Sequence, residues 1–365
     1  MLKVDCNFPG GNILVDHIVG DFVYLHQDLR DTKGDWFYWY FRVTGAGGKT
    51  VNFYFTKSAA IGALGPAYSL DEGKTWEWLG EEAVRENSFV FSFPENAKTV
   101  RFCMAIPYLE ENFKQFLKKH KEIKKETLCI SRKGRKVELL RLGNPEGKYK
   151  VLLTCRHHCC EMTAGYALEG IMGEILRNKE LYGKADFLIV PFVDKDGVED
   201  GDQGKNRKPY DHNRDYGKKS IYPEVRALKK LVGKWLNNKT FFAMDLHCPW
   251  LKSGMNEQVY FVGQRSGKNW KQTLNYSRIL EKTNKGQVVY FAKDNLPYGV
   301  GWNTGISANF SRWAASLPKA VFAATVEIPY ARAHGKEITP AQAREFGEYI
   351  AKAILVFLRI HTDIK

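Results

Sequence analysis

An apolar run that leads directly into two histidines and a glutamate occupies residues 151–161. It reads Val151-Leu152-Leu153-Thr154-Cys155-Arg156-His157-His158-Cys159-Cys160-Glu161. Further apolar runs occur at 187–190, 241–244 and 321–326, and the stretch at 167–176 between two of them repeats its apolar residues with a helical period. Buried strands that alternate with amphipathic helices predict an α/β domain whose sheet is covered on both faces.

Residues 1–110 have a different pattern, dominated by aromatic and β-branched side chains. Short strands are predicted at 36–43, 51–55, 89–93 and 100–105. Their regular spacing is typical of a β-sandwich. The stretch at 108–125 then becomes helical and charged, which marks a connection. We therefore predict a β-sandwich domain at 1–110, followed at 111–365 by a mixed-sheet α/β catalytic domain.

The composition narrows the class of protein. The chain has 365 residues and 44% hydrophobic content, but no apolar run long enough to span a membrane, so we expect no membrane partner. Its N-terminus lacks the charged start and apolar stretch of a secretory signal. Seven cysteines, an odd number, suggest reduced thiols. The sequence therefore predicts a cytoplasmic protein.

The net charge of +14 raises the question of a nucleic-acid partner. The basic residues are scattered, and their densest run, at 118–125, lies on a polar helical stretch where a solvated face is the simpler explanation. We expect no nucleic acid among the partners. An attraction for acidic peptide substrates is the other explanation of the charge, and both stay open here.

Three of the predicted strands lead straight into side chains that bind metals or move protons. The first leads to His158 and Glu161, the third to His247 and the fourth to Glu327. Because ligands of open α/β sheets bind at the carboxyl ends of the strands, we expect these four side chains to meet. Two histidines and one glutamate are a known zinc set that leaves a coordination position free. One Zn²⁺ per chain is predicted.

Charged and amide side chains follow the second strand. The segment Asp194–Asp202 combines acidic residues with glycine and is predicted to form a tight loop. Arg207 comes after it, and then Asn213 and Arg214. A guanidinium offers a planar fork of donors that suits a carboxylate, so these residues favour recognition of a substrate carboxylate. Surface salt bridging is the alternative.

The motifs follow one another in an order with a known counterpart. Arg156-x-His158-x-x-Glu161 is similar to the sequence Arg-x-His-Pro-Gly-Glu, and Asp196-Gly197 to the end of Asn-Pro-Asp-Gly. Both motifs, and those that follow further along the chain, resemble the zinc carboxypeptidase family, in particular its cytosolic carboxypeptidase-like branch.

In that second half, Asp211-His212-Asn213-Arg214 matches the family's Asp-x-Asn-Arg, and His247 and Glu327 stand at the third ligand and the catalytic glutamate. The aromatic N-terminal stretch is similar to the β-sandwich that precedes the catalytic domain in this branch. The resemblance implies a zinc carboxypeptidase that hydrolyses the C-terminal peptide bond of peptides or protein tails.

The resemblance also implies a role for each matching residue. Zinc on His158, Glu161 and His247 would activate water and polarise the scissile carbonyl. Glu327 would accept the proton of the water and pass it to the leaving amine.

Four further roles are implied around this centre. Arg207 would stabilise the tetrahedral oxyanion. Asn213 and Arg214 would hold the terminal carboxylate of the substrate, and Asp211 would hydrogen-bond the far nitrogen of His158.

The chain departs from the family pattern close to the metal ligands. Cys159 and Cys160 replace Pro-Gly, and Cys248 directly follows the third ligand, so three thiols lie near the expected zinc. Trp313 falls where the family has a mobile tyrosine, for which Tyr298 is another source.

Arg312 suggests the choice of substrate. In this family the residues shortly before the catalytic glutamate line the side-chain pocket, and Arg312 is the only charge at 309–313. A guanidinium in that pocket predicts a preference for acidic C-terminal residues.

Two other functions share some of these features. A zinc amidohydrolase that removes an acyl group from an amino acid would have the same ligand set, whereas Asn213 and Arg214 favour peptide ends. A catalytically inactive module that grips peptide tails would not need Glu327 opposite an open metal site.

Overall fold

The computed structural model describes residues 1–361. Residues 1–103 form ten strands, labelled in chain order: β1 (Lys3–Asp5), β2 (Leu14–Val19), β3 (Phe22–His26), β4 (Tyr40–Thr44), β5 (Thr50–Phe55), β6 (Ala67–Ser69), β7 (Glu77–Trp78), β8 (Val84–Arg85), β9 (Ser88–Ser92) and β10 (Thr99–Cys103). They build two five-stranded sheets, in the orders β1-β4-β10-β6-β7 and β2-β3-β5-β9-β8. The predicted β-sandwich is confirmed.

Aromatic rings fill the space between the two sheets. Phe41 on β4, Phe53 on β5, Phe89 on β9 and Phe102 on β10 are fully buried, with neighbouring ring centroids 4.8 to 5.6 Å apart. Alternate residues of each strand therefore face the core, as the aromatic pattern of the sequence requires.

The strand predicted at 36–43 begins only at Tyr40. The reason is that the backbone just before β4 has partners in the second domain. The Tyr38 N–H donates to Gln203 Oε1 at 2.7 Å, and the Tyr38 carbonyl accepts from Gln203 Nε2 at 2.8 Å. A side chain thus takes the place of a neighbouring strand.

The second domain contains the other main elements: α1 (Glu110–Lys119), β11 (Lys124–Ile130), β12 (Lys136–Gly143), β13 (Tyr149–Cys155), α2 (Thr163–Arg177), α3 (Lys179–Lys184), β14 (Ala185–Val190), α4 (Lys195–Asp200), α5 (Pro223–Trp235), β15 (Thr240–His247), β16 (Tyr260–Val262), α6 (Gly267–Thr283), α7 (Phe310–Ala315), β17 (Ala320–Glu327), β18 (Arg332–Ala333), β19 (Lys336–Glu337) and α8 (Pro340–Ile360). Short 3₁₀ helices occur at Glu81–Ala83, His212–Arg214, Gly254–Glu257 and Ala292–Asp294.

A seven-stranded mixed sheet, in the order β11-β12-β14-β13-β15-β17-β16, is the centre of this domain. The four strands β14, β13, β15 and β17 are parallel, so their carboxyl ends lie at one edge. Helices α2, α6 and α8 cover one face, and α5 and α7 cover the other. The predicted α/β class is confirmed.

Two details differ from the sequence-based expectation. The helix predicted across 108–125 ends at Lys119, because the chain turns into the charged edge strand β11. The tight loop predicted at 194–202 is the short helix α4, which Asp194 caps by accepting from the Gly197 N–H at 3.0 Å and which ends at Gly201 with a φ of 72°. None of the helices within residues 1–361 is both long and apolar enough to cross a bilayer.

Candidate metal centre and active-site cleft

A tight loop after β13 brings the first two candidate ligands together. Arg156 turns the chain with a φ of 60°, and its buried guanidinium donates to the carbonyl oxygens of Cys159 at 2.9 Å and Tyr108 at 2.6 Å. These bonds hold the loop closed. As a result, His158 Nδ1 lies 2.9 Å from Glu161 Oε1.

The parallel sheet supplies the remaining two groups. His247 is the last residue of β15 and Glu327 the last of β17, and the two residues are paired in register. His247 Nδ1 lies 2.6 Å from Glu161 Oε2. The expectation that strand ends gather these side chains therefore matches the geometry.

The donor atoms of His158, Glu161 and His247 fit a zinc ion. They lie within 4.8 Å of one another and all three side chains are buried. Glu161 Oε2 receives no well-aligned hydrogen bond, although His247 Nδ1 is only 2.6 Å away. Two imidazole nitrogens aimed at one carboxylate, with a buried oxygen left without a hydrogen bond, are the arrangement that a metal ion would satisfy.

Carboxylates stand behind both histidines. His158 Nε2 lies 3.6 Å from Asp211 Oδ1, and His247 Nε2 lies 2.6 Å from Asp245 Oδ2. Both rings thus present Nδ1 to the centre and turn Nε2 towards a carboxylate, and the short contact with Asp245 fixes the orientation and tautomer of His247. Asp211 lies behind His158, but at 3.6 Å its Oδ1 makes no hydrogen bond to the ring, so the bond that the resemblance implied stays a prediction.

Asp245 belongs to a longer chain of hydrogen bonds that the sequence analysis missed. Its Oδ1 lies 2.8 Å from His157 Nδ1, and His157 Nε2 lies 2.7 Å from the Tyr216 hydroxyl. Burial raises the pKa of Asp245, but the two histidines outweigh burial, and the pKa lies well below its usual value. A carboxylate within the apolar strand β15, two residues before His247, was the signal for this chain.

The two glutamates of the site have opposite pKa shifts. Burial raises the pKa of Glu161, but Lys205, His247 and His158 outweigh burial, and its pKa falls well below the ordinary value. Burial raises the pKa of Glu327 to about 7, with Glu161 adding to the rise. Divergent pKa values of this kind favour one carboxylate as a permanent anion and the other as a proton acceptor.

These groups open into a cleft of about 470 Å³. Asn213, Arg214 and Arg312 line it together with the candidate ligands and Glu327. Within residues 1–361, neither Arg214 nor Arg312 pairs with a carboxylate; their guanidinium groups donate to the carbonyl oxygens of Asn213 at 3.1 Å and Ser307 at 2.9 Å. Two cations without anionic partners therefore face the cleft.

One polar atom of the Asn213 side chain has a protein partner, since its Oδ1 accepts from the Phe310 N–H at 3.0 Å. Its Nδ2 lies 3.1 Å from His247 Nε2, but that nitrogen already faces Asp245 Oδ2 at 2.6 Å, and two N–H groups do not hydrogen-bond each other. The Asn213 amide nitrogen and the Arg214 guanidinium are therefore both donors without a carboxylate partner within residues 1–361.

The oxyanion role that the resemblance implies for Arg207 does not fit its position. Arg207 lines a separate cavity of about 450 Å³, and its guanidinium binds Asp31 at 2.9 Å, Asp194 at 2.7 Å and Asp202 at 2.9 Å. The many donors that suit arginine to a substrate anion also suit it to a buried cluster of carboxylates. The side chain therefore ties the two domains together, since Asp31 belongs to the β-sandwich.

Lys205, two residues earlier, lies in the cleft instead. Its Nζ is 2.6 Å from Glu161 Oε1 and 4.9 Å from the centre of the Trp36 ring. The rings of Trp36 and Trp250 contact each other with centroids 5.0 Å apart and planes inclined by 51°, and both line the cleft. The lysine in the segment after Gly204 was a visible signal, but the sequence analysis favoured the arginine.

Three thiols lie near the candidate ligands in the sequence, those of Cys159, Cys160 and Cys248. The donor sets found within residues 1–361 contain no cysteine. Cys159 Sγ donates to the Asp202 carbonyl at 2.9 Å, and Cys160 Sγ lies 4.0 Å from the Tyr330 hydroxyl. Burial raises the pKa of Cys248 well above its ordinary value. All three thiols are thus buried, and none belongs to a candidate donor set within the described part of the chain.

The two candidates for the mobile tyrosine lie in different places. Trp313 packs against Tyr216 and Phe310, with ring centroids 5.2 and 5.8 Å apart. Tyr298 lines the cleft, where its hydroxyl donates to the Thr304 carbonyl at 3.1 Å. Of these two residues only Tyr298 therefore brings its ring to the cleft, which Tyr260 also lines.

Comparisons with known proteins agree with this geometry. The chain is 26% identical to an uncharacterized protein of Zymomonas mobilis over 67% of both chains, and 24% identical to cytosolic carboxypeptidase 3 of Bos taurus over 72% of this chain and 30% of that protein. It spans about a third of the length of the cytosolic carboxypeptidases it matches. A metallo-carboxypeptidase from Burkholderia cenocepacia has the same fold, with a TM-score of 0.81 at 20% identity over 99% of this chain and 100% of that one.

The sequence model of the zinc carboxypeptidase family matches residues 109–247, which include all three candidate ligands. With the shared fold and the relatives, this match confirms the family that the motifs predicted: the chain contains a zinc carboxypeptidase domain.

Proposed function

We propose that this protein is a zinc-dependent carboxypeptidase that hydrolyses the C-terminal peptide bond of peptides or protein tails. One observation supports it above all. The three zinc donors, the buried carboxylate of Glu327 and the unpaired cation of Arg214 line a single cleft.

His158, Glu161 and His247 would hold the zinc ion. Bound zinc supplies a Lewis acid that polarises a carbonyl and lowers the pKa of water. Asp245 keeps His247 in the tautomer that leaves Nδ1 free for the metal, and Asp211, 3.6 Å from His158 Nε2, would do the same for His158 once that contact shortens.

Glu327 is the proton acceptor in this proposal. Glu327 takes a proton from the water molecule as the water oxygen forms a bond to the scissile carbonyl carbon. In the same step an electron pair of the carbonyl double bond moves to the carbonyl oxygen. When the carbon–nitrogen bond breaks, the same proton passes to the leaving amine. Its burial and its raised pKa suit a group that gains and then loses a proton near neutral pH.

Arg214 is the group that recognises the free C-terminus. Its guanidinium lines the cleft without a carboxylate partner in the described chain, and a terminal carboxylate would form a charge-assisted pair with it. Asn213 lines the same cleft beside Arg214; its Oδ1 is held by the Phe310 N–H, and its amide nitrogen supplies a second donor to the terminal carboxylate.

Arg312 supports a preference for acidic C-terminal residues. It lies on α7 and lines the same cleft, and among residues 1–361 its guanidinium donates to the Ser307 carbonyl and pairs with no carboxylate. A half-buried cation would favour a Glu or Asp side chain and disfavour a Lys side chain. Peptides ending in Glu, Leu and Lys test this with wild type and Arg312→Ala. Arg265→Ala, a change of an exposed arginine outside the cleft lining, is the matched control.

The test of the function itself compares three substrates. Zinc-loaded protein should release the last residue from a peptide with a free C-terminus, but leave the C-terminally amidated peptide and an N-acyl amino acid intact. A chelator should abolish the release and added Zn²⁺ should restore it. Preferred cleavage of the N-acyl amino acid would favour a deacylase, and tight binding without cleavage would favour an inactive binding module.

A cytoplasmic location is part of the same proposal. The seven cysteines are all free, and three of the relatives are named cytosolic carboxypeptidases. Measuring the protein in cell fractions would test it.

A further inference from the structure

Lys205 has a position for which the proposed function has so far required no role. Its side chain is only 11% exposed, its Nζ touches the candidate ligand Glu161 at 2.6 Å, and it packs on the Trp36 ring. It also lies close enough to Glu327 to oppose the rise in that group's pKa. The ammonium group therefore contacts Glu161 and shares the cleft with Glu327.

The loop that bears Lys205 is fixed from the β-sandwich side. The Gly204 N–H donates to Asp31 Oδ2 at 2.9 Å, and the Lys205 carbonyl accepts from Thr32 Oγ1 at 2.5 Å. Gly204 has a φ of 74°, and a Cβ there would lie 2.5 Å from the backbone nitrogen of Cys159. The backbone is therefore anchored at the Gly204 N–H and at the Lys205 carbonyl. Because of these two bonds, the residue that bears the ammonium group is held in place before a substrate arrives.

A structural role alone does not explain a buried cation here. Lys205 neutralises Glu161 in the metal-free site, but a bound metal would supply that compensation itself. A cation left beside a metal is then costly unless a second negative charge arrives. Hydrolysis creates such a charge on the oxygen of the scissile carbonyl.

We propose that Lys205 is a catalytic residue that stabilises this oxyanion, and that Asp31 and Thr32 of the β-sandwich position it. The inference rests on the proposed function. In the addition step the carbonyl electron pair moves to oxygen beside the ammonium, and the water proton goes to Glu327. In the collapse step the electron pair on this oxygen re-forms the carbonyl as the carbon–nitrogen bond breaks, and the proton on Glu327 passes to the leaving amine. Lys205 keeps its protons throughout.

The test compares the effect of Lys205 on the binding of a transition-state analogue with its effect on the binding of a substrate analogue. Calorimetry would compare a phosphinic peptide, which is tetrahedral and anionic at the scissile position, with the matched ketomethylene peptide, which has an uncharged carbonyl. In zinc-loaded Lys205→Met, the phosphinic peptide should bind about 100-fold more weakly, while the ketomethylene peptide changes less than about threefold. Lys205→Arg, which restores the charge, should recover most of the phosphinic affinity. Lys208→Met is the matched control, since it changes an exposed lysine of the same loop that faces the other cavity.

Each other outcome overturns the inference. Equal weakening of both peptides would mean that Lys205 acts on substrate binding in general, and unchanged affinities would mean that it acts on neither. Loss of zinc from folded Lys205→Met, measured by elemental analysis, would make it part of the metal site only. If that variant does not fold, Thr32→Val decides: it keeps the lysine but removes its anchor, and it must weaken only the phosphinic peptide.

Failure of the proposed function is distinguishable from failure of this inference. Wild type that cleaves no peptide refutes the function. Wild type that cleaves peptides, with an unaltered phosphinic preference in Lys205→Met, refutes the inference alone.

Discussion

Replacing Glu327 by glutamine should separate catalysis from stability at one position. The carboxylate is 7% exposed at the end of β17, and its Oε2 receives no hydrogen bond. Glutamine has nearly the same shape but cannot accept a proton at neutral pH. We expect the variant to keep its zinc and to lose at least about 100-fold in turnover, since general bases contribute this much or more.

The same change should stabilise the metal-free protein, and the structure gives the size of the effect. Burial raises the pKa of Glu327 to about 7 from an ordinary 4.5. The ionised form is therefore less favourable in the folded protein than in the unfolded chain, so this group lowers the free energy of unfolding at high pH and has no such effect at low pH. At about 1.4 kcal/mol for each pKa unit, and with neighbouring charges relaxing, glutamine should gain about 1 to 3 kcal/mol above pH 7.

Thermal unfolding of the metal-free proteins at a series of pH values would measure this. The midpoint of Glu327→Gln should exceed that of wild type at pH 8, and the two should converge as the pH falls through 7 towards 4.5. Glu337→Gln, a change of an exposed glutamate on β19, is the matched control and should show no such difference.

Two results would refute the reasoning. Turnover at the wild-type rate would mean that another group accepts the proton. A stability difference that does not vary between pH 4.5 and pH 8 would mean that the carboxylate is not desolvated in the way its position indicates.

Three further expectations follow from the structure. Elemental analysis should find close to one zinc per chain in wild type, lost in His158→Ala and His247→Ala; full zinc in both variants would contradict the ligand assignment. Arg207→Met should lower the free energy of unfolding by about 3 to 5 kcal/mol, because it removes the cation that the carboxylates of Asp31, Asp194 and Asp202 share, yet leave the ratio of phosphinic to ketomethylene affinity unchanged. A fragment that starts near Phe113 should be poorly soluble because it exposes the surface that meets the β-sandwich, and a soluble fragment with full activity would contradict this.

The elements that the sequence predicted well are those whose pattern is local. The strands β13, β14, β15 and β17 are apolar runs buried on both faces, and α2 repeats its apolar residues with the helical period. Among the strands that the sequence analysis missed, β11 and β12 show the physical reasons. The edge strand β11 is charged, as exposed edges often are, and β12 includes Glu138, which is buried only because Lys195 pairs with it at 3.2 Å.

The residues of the candidate site also divide into those that a local pattern predicted and those that depend on distant parts of the chain. The ligands and Glu327 could be predicted because each lies at, or within a few residues after, the carboxyl end of a strand, and the parallel order of the strands brings these ends together. The partners of Asn213 could not be predicted, since they depend on Phe310, which lies 97 residues further along the chain.

The reason that Lys205, and not Arg207, lies beside the metal centre is found outside the catalytic domain. Asp31, on the β-sandwich, accepts from Arg207 Nε at 2.9 Å and from the Gly204 N–H at 2.9 Å. One carboxylate thus draws the guanidinium away from the cleft and fixes the backbone next to Lys205. No pattern within 196–214 contains this information, because the deciding residue lies more than 170 positions away. The β-sandwich therefore does more than cover an apolar surface: it determines which of two neighbouring cations faces the metal centre, and an account of catalysis in this protein has to include both domains.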